Sequence, residues 1–94
     1  MKLTGIIWLR DVVEKLLGKH NVTTDEVEEV ISHAPRYRFI ERGDVEGEDL
    51  YAAMGQTAAG RYMIVYFVHK TAGDALVISA RDMTKNERKS YAKK

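Results

Sequence analysis

The sequence predicts an α+β fold: two N-terminal helices packed on a four-stranded antiparallel sheet, followed by a basic C-terminal helix. Three observations carry that prediction. Apolar residues recur at helical spacing before Pro35 and at a spacing of two after it. Thr23 with Glu26, and Thr84 with Glu87, have the spacing of a capping box. There the hydroxyl accepts from the backbone N–H three residues on, and the carboxylate accepts from the N–H of the cap itself. Short glycine-containing turns at residues 43–47, 58–60 and 72–74 separate the period-two segments, which suits hairpins between neighbouring strands.

In chain order, Trp8, Leu9, Val12, Val13, Leu16 and Leu17 form an apolar stripe opposite Arg10, Asp11, Glu14 and Lys15, predicting a first helix that ends near Gly18. The Lys19-His20-Asn21-Val22 turn leads into a second helix opened by Thr23. Its Val27, Val30 and Ile31 face the core until Pro35 stops it, and His33 closes it as a terminal cap. Strands are expected at residues 37–41, 49–56, 61–69 and 75–82. Residues 61–69 are apolar on both faces, with Met63, Val65 and Phe67 opposite Tyr62, Ile64, Tyr66 and Val68, as in a central strand covered on both sides. In the last strand Leu76, Ile78 and Ala80 are expected on one face and Val77, Ser79 and Arg81 on the other. The two N-terminal helices cover one face of the sheet. The C-terminal helix brings little more than Tyr91 and Ala92 to the second, so part of that face is expected to stay open for a partner protein, a substrate or a second copy.

Ninety-four residues fit one domain spanning 1–94. Without cysteine there is no disulfide, thiolate nucleophile or cysteine zinc site, which fits a reducing, cytoplasmic setting. The short apolar run before Arg10 lacks a cleavage site, and no segment approaches the roughly 20 apolar residues of a membrane span, so no membrane association is expected. The net charge of +1 hides an asymmetry. Residues 81–94 hold six Lys/Arg against Asp82 and Glu87, or +4, while the other eighty residues carry −3. That arrangement points to nucleic acid at the basic end and a basic partner elsewhere, or to an ordinary solvated tail helix.

Arg81 is the last outward residue of a strand and stands just before a helix N-terminus. A guanidinium in that position suits an anion, commonly phosphate. No His/Asp/Glu spacing supports a metal site, and no glycine-rich phosphate loop, nucleophile elbow or paired-carboxylate signature occurs, so neither metal nor cofactor is expected.

The order of these elements, with Lys19-His20-Asn21-Val22, Gly60-Arg61, Val65-Tyr66 and Ile78-Ser79-Ala80-Arg81 followed by Glu87 and Tyr91, resembles the BrnT family of bacterial toxins. The resemblance implies a RelE-like fold and a ribonuclease that slows translation as the toxin of a type II toxin–antitoxin pair. It also implies a DNA-binding antitoxin that masks the toxin and represses the shared operon, within a homodimer or a toxin–antitoxin hetero-oligomer. Arg81, Glu87 and Tyr91 match the family's site most directly, and His20 and Arg61 next. The sequence departs from the pattern at Asn21, usually Gly, at Leu16, often Asn, and at Ala75, often Arg.

A metal-independent ribonuclease must help a ribose 2′-OH attack phosphorus, stabilise the phosphorane-like transition state and protonate the leaving 5′-oxygen. Cationic donors at the phosphate supply the largest share, which makes Arg81 and Arg61 the candidates there and Lys85, Arg88 and Lys89 the candidates for RNA binding. His20, His69, Glu87 and Tyr91 are available for proton transfer. Only a histidine titrates near neutral pH unperturbed, and the resemblance favours His20. Structural roles compete with each: Glu87 in its capping box, Tyr91 in helix packing, His20 at the first helix C-terminus. Tyr37, Phe39, Tyr51, Tyr62 and Tyr66, with Arg36 and Arg38 nearby, are open to base stacking or to core packing. The acidic run Glu41, Asp44, Glu46, Glu48 and Asp49 would repel RNA and suits a basic antitoxin or plain solvent. A noncatalytic module that binds protein or nucleic acid on the same scaffold is the competing functional class.

Overall fold

The structure, a computed structural model, describes residues 1–93; Lys94, counted above in the basic C-terminal segment, lies outside them. The chain runs β1 (Ile6–Ile7), α1 (Arg10–His20), α2 (Thr24–Ser32), β2 (Arg36–Glu41), β3 (Leu50–Gln56), β4 (Tyr62–His69), β5 (Ala75–Asp82) and α3 (Lys85–Ala92). The sheet has five strands in the order β1-β5-β4-β3-β2, with β1 parallel to β5 and the other neighbours antiparallel. This corrects the expected four-stranded antiparallel sheet. Two residues are too few to show a period, and β1 is held by tertiary bonds instead. The Thr4 N–H donates to the Gly73 carbonyl (3.1 Å), the Ala75 N–H to the Gly5 carbonyl (2.9 Å) and the Thr4 hydroxyl to Asp74 (2.9 Å).

Helix α1 is narrower and longer than its stripe suggests. Leu9 and Leu17 are 48% and 57% exposed, while Leu16 is buried. The helix passes through Gly18 and ends where Asn21 turns left-handed at φ 53°, with the Val22 N–H reaching back 3.0 Å to the Leu16 carbonyl. Glycine adopts that conformation most easily and asparagine next, so Asn21 fits the turn at modest cost. Both capping boxes form as expected, at Thr23/Glu26 and Thr84/Glu87.

Leu16 of α1, Val22 of the connecting turn, and Val27 and Val30 of α2 pack on Ala53, Met63, Val65, Phe67, Val77 and Ala80. On the opposite face, Tyr62, Tyr66 and Tyr91 pack around Ala52, Met54, Ile64 and Met83. The alternation expected along β5 is broken by a bulge: Tyr66 pairs with Ser79 but Phe67 with Val77, leaving Ile78 as the extra residue. Val77 and Ala80 therefore share the helix-covered face, and Leu76 shares the opposite face with Ser79 and Arg81. Among the described residues no helix is long and apolar enough to cross a membrane.

Candidate functional site

At one corner of the sheet the start of β4 meets the end of β5, with the α1 C-terminus on one side and the α3 N-terminus on the other. The turn before β4 presents Arg61. There Thr57 is buried, its hydroxyl accepts from the Arg61 N–H (3.0 Å), and Gly60 supplies a φ of 94°. On β5, Arg81 and Asp82 are consecutive and project to opposite faces.

Arg61 lies on the side of the two N-terminal helices. Its Nε donates to Asp82 at 2.6 Å, and Nη1 donates to the Asn21 carbonyl (2.8 Å) and to Glu26 (3.1 Å). Nη2 donates to the His20 carbonyl (3.1 Å) and to Asp82 (3.3 Å). The two carbonyls belong to the end of α1, where helical carbonyls lack partners, so a guanidinium there both satisfies them and opposes the helix dipole. Arg61 is held protonated, chiefly by its bond to Asp82. Asp82 is lowered in turn, first by Arg61 and more weakly by the nearby charge of His20. Glu26 is lowered first by the Thr23 N–H and then by Arg61. The His20 ring is exposed and has no hydrogen bond among the described residues.

Arg81 lies on the α3 side. Its Nη1 and Nη2 donate to the two Glu87 oxygens at 2.7 and 2.9 Å, Nη2 also reaches the Tyr66 hydroxyl (2.9 Å), and Nη1 the Asp82 carbonyl (3.1 Å). The guanidinium lies 5.7 Å from the Tyr66 ring centre. Its side chain keeps 34% of its surface exposed against 24% for Arg61. The bidentate pair raises Arg81 further above its ordinary value and pulls the Glu87 carboxyl down to about 2. Glu87 also accepts from the Thr84 N–H at 2.8 Å. A carboxylate so weakly basic is a poor proton acceptor at neutral pH and a good tether for a guanidinium.

Next to this pair, Tyr62, Lys85, Arg88, Lys89 and Ala92 line a shallow cleft. Arg88 sits 4.2 Å over the Tyr62 ring, and Tyr91 meets Tyr62 edge to face with centroids 6.1 Å apart. Lys85 and Lys89 have no ion pair among the described residues. Arg36 fixes the far end of α3 by donating to the carbonyls of Ser90, Tyr91 and Lys93 at 3.3, 3.0 and 2.8 Å. Among the described residues no three His, Asp or Glu side chains converge as a metal ligand set.

The corner thus gathers the candidates onto two sides of one strand end: Arg81, Glu87, Lys85 and Arg88 on one side, Arg61 and His20 on the other, with Tyr91 a helical turn beyond Glu87. Sequence reasoning missed Asp82, Glu26 and Tyr66 as partners of the two arginines. Only the hairpin register of Met63 with Asp82 could have signalled one of them, since it brings Arg61 toward Asp82. Of the aromatics, Tyr37 and Tyr51 pack against the core under the N-terminal helices, whereas Tyr62 and Tyr66 line the opposite face. His33 caps α2 through the Glu29 carbonyl.

The profile of a family described as the ribonuclease toxin BrnT of type II toxin–antitoxin systems matches residues 8–87. The chain belongs to the BrnT family. The matched span runs from Trp8, through both N-terminal helices and the sheet, to Glu87 in the Arg81 pair. No functionally curated protein matches the chain.

Proposed function

We propose that this BrnT-family protein is a metal-independent endoribonuclease that inhibits translation in the cytoplasm, and that RNA is cut on the α3 side of the corner. The observation that supports this reading is the basic cleft of Tyr62, Lys85, Arg88 and Lys89 beside the Arg81–Glu87 pair. Lys85, Arg88 and Lys89 hold flanking phosphates, and Tyr62 offers a face for a base. Arg81, turned partly from Glu87 to the scissile phosphate, donates to its non-bridging oxygens as negative charge builds there. The 2′-oxygen forms a bond to phosphorus as the bond to the 5′-oxygen breaks, leaving a 2′,3′-cyclic phosphate and a 5′-hydroxyl. The proton that leaves the 2′-hydroxyl and ends on the 5′-oxygen is assigned to His20, which stands exposed near Asp82 across the strand end from Arg81. Glu87 acts as the tether that aims Arg81, Tyr91 positions α3 through Tyr62, and Arg61 holds the α1 terminus that carries His20.

One observation favours the noncatalytic alternative: both arginines already have carboxylate partners, so a phosphate must compete for Arg81. Incubation of the purified protein with mixed-sequence RNA in EDTA, followed by end-group analysis, separates the readings. Fragments with cyclic phosphate and 5′-hydroxyl ends are expected. Intact RNA, both free and on ribosomes, would leave only a binding role.

A further inference from the structure

The α3 face of the sheet is only half covered. Tyr91 and Met83 pack over Met54 and Ile64, but among the described residues no helix lies above the neighbouring row across β3, β4, β5 and β1, namely Leu50, Val68, Leu76 and Ile7. Ile7 and the bulged Ile78 are 37% and 40% exposed. Leu50, Val68 and Ile78 line one depression together with Glu41 at the end of β2 and Arg42, Asp44 and Glu48 of the β2–β3 connection, so its rim holds three acids against one cation. Residues 41–49 hold five acids against Arg42 alone. Glu48 is tied to Lys70 at 2.7 Å, but Glu41, Asp44 and Glu46 have no ion pair among the described residues.

We infer that this patch is the docking surface for the antitoxin, and that it takes a segment with an apolar side for Leu50, Val68, Leu76 and Ile78 and lysines or arginines for the acidic rim. The assignment of an antitoxin as partner rests on the toxin reading above; the location and chemistry of the surface rest on the patch itself. An apolar area rimmed by one sign of charge selects a complementary partner, because each unpaired acid attracts a cation on approach and penalises an anion. RNA is a poor occupant for that reason. A second copy is the competing occupant, since β2 presents Phe39 and Ile40 exposed beside Arg38 and Arg42, and the sedimentation arm below separates it from the antitoxin. The surface lies beside the cleft lined by Lys85 and Arg88 on the same face, so a bound segment continuing past Tyr66 would reach the RNA-binding side.

The test uses the full chain and a purified cognate antitoxin, with affinity measured by calorimetry. Two variants are compared with wild type: Ile78→Glu, which places a charge in the patch, and Glu41→Lys with Asp44→Lys, which reverses the rim at two exposed positions without touching the core. Each is expected to weaken binding by about 10-fold or more, and the double variant to flatten its salt dependence. The double variant decides the matter if Ile78→Glu fails to fold. Unchanged affinity in the double variant, or no antitoxin binding by wild type, overturns the inference. So does a wild-type dimer in sedimentation that Ile78→Glu disperses, since a second copy would then own the surface. RNA cleavage by the same preparations is scored separately: loss of antitoxin binding with cleavage intact supports the docking surface, and absence of cleavage in wild type rejects the nuclease reading without touching the surface.

Discussion

Arg61 and Arg81 stand at the same corner, both as candidates for gripping phosphate, yet the fold treats them differently. Arg61 is fastened to three separate segments: the carbonyls ending α1, Glu26 of α2 and Asp82 of β5. Arg81 is fastened to Tyr66 and to Glu87 on a helix of eight residues, and it borders the basic cleft. A guanidinium that satisfies carbonyls from a helix terminus cannot turn to a ligand without stranding them, whereas one paired with a single carboxylate can exchange that carboxylate for a phosphate. In the proposed reading, the arginine that ties three segments together is scaffold, and the one paired with a single short helix is available for chemistry.

Four changes break or sharpen that contrast. Arg81→Ala is expected to lower RNA cleavage by about 100- to 1,000-fold, as loss of a transition-state donor does, while circular dichroism and thermal melting show a folded protein. Arg61→Ala leaves Asp82 and Glu26 facing each other and two carbonyls without a donor. It is expected to cost about 2–3 kcal/mol, read as a drop of about 10–20 °C in Tm, with cleavage per folded molecule within about 10-fold of wild type. Glu87→Gln is expected to cost about 1 kcal/mol near neutral pH, discounted for partial exposure, in denaturant titration. Because the Glu87 carboxyl lies at about 2, below its ordinary 4.5, its contribution is complete above that ordinary value and drains away as pH falls toward 2. The variant should therefore lose less stability than wild type across that acid window. Asn21→Gly relaxes the left-handed turn whose carbonyl Arg61 holds, and it should raise Tm by about 2–4 °C with cleavage unchanged.

The parts legible in the sequence are those written over a few neighbouring residues. Thr23/Glu26 and Thr84/Glu87 act across three positions, and both boxes are present. The change of period at Pro35 located the helices and four of the five strands. Strand β1 escaped because Ile6 and Ile7 carry no pattern and are held from residues 73–75. The bulge at Ile78 escaped because a one-residue slip is decided by packing of Val77 and Ala80 under the helices. In the site, Arg81 and Glu87 form a pair that the sequence placed close together, although it weighed Glu87 as a capping-box carboxylate or a proton-transfer group and not as a tether for Arg81. The role of Arg61 was hidden for the opposite reason: its partners lie 21 to 41 residues away, and one set is backbone.

The most direct test of this division is a side-by-side measurement of RNA cleavage rate per folded molecule for Arg81→Ala and Arg61→Ala, in EDTA at a temperature where both are native. The predicted result is a collapse for Arg81→Ala and a rate near wild type for Arg61→Ala. A collapse for Arg61→Ala with full activity in Arg81→Ala would contradict it and move the chemistry to the α1 side of the corner.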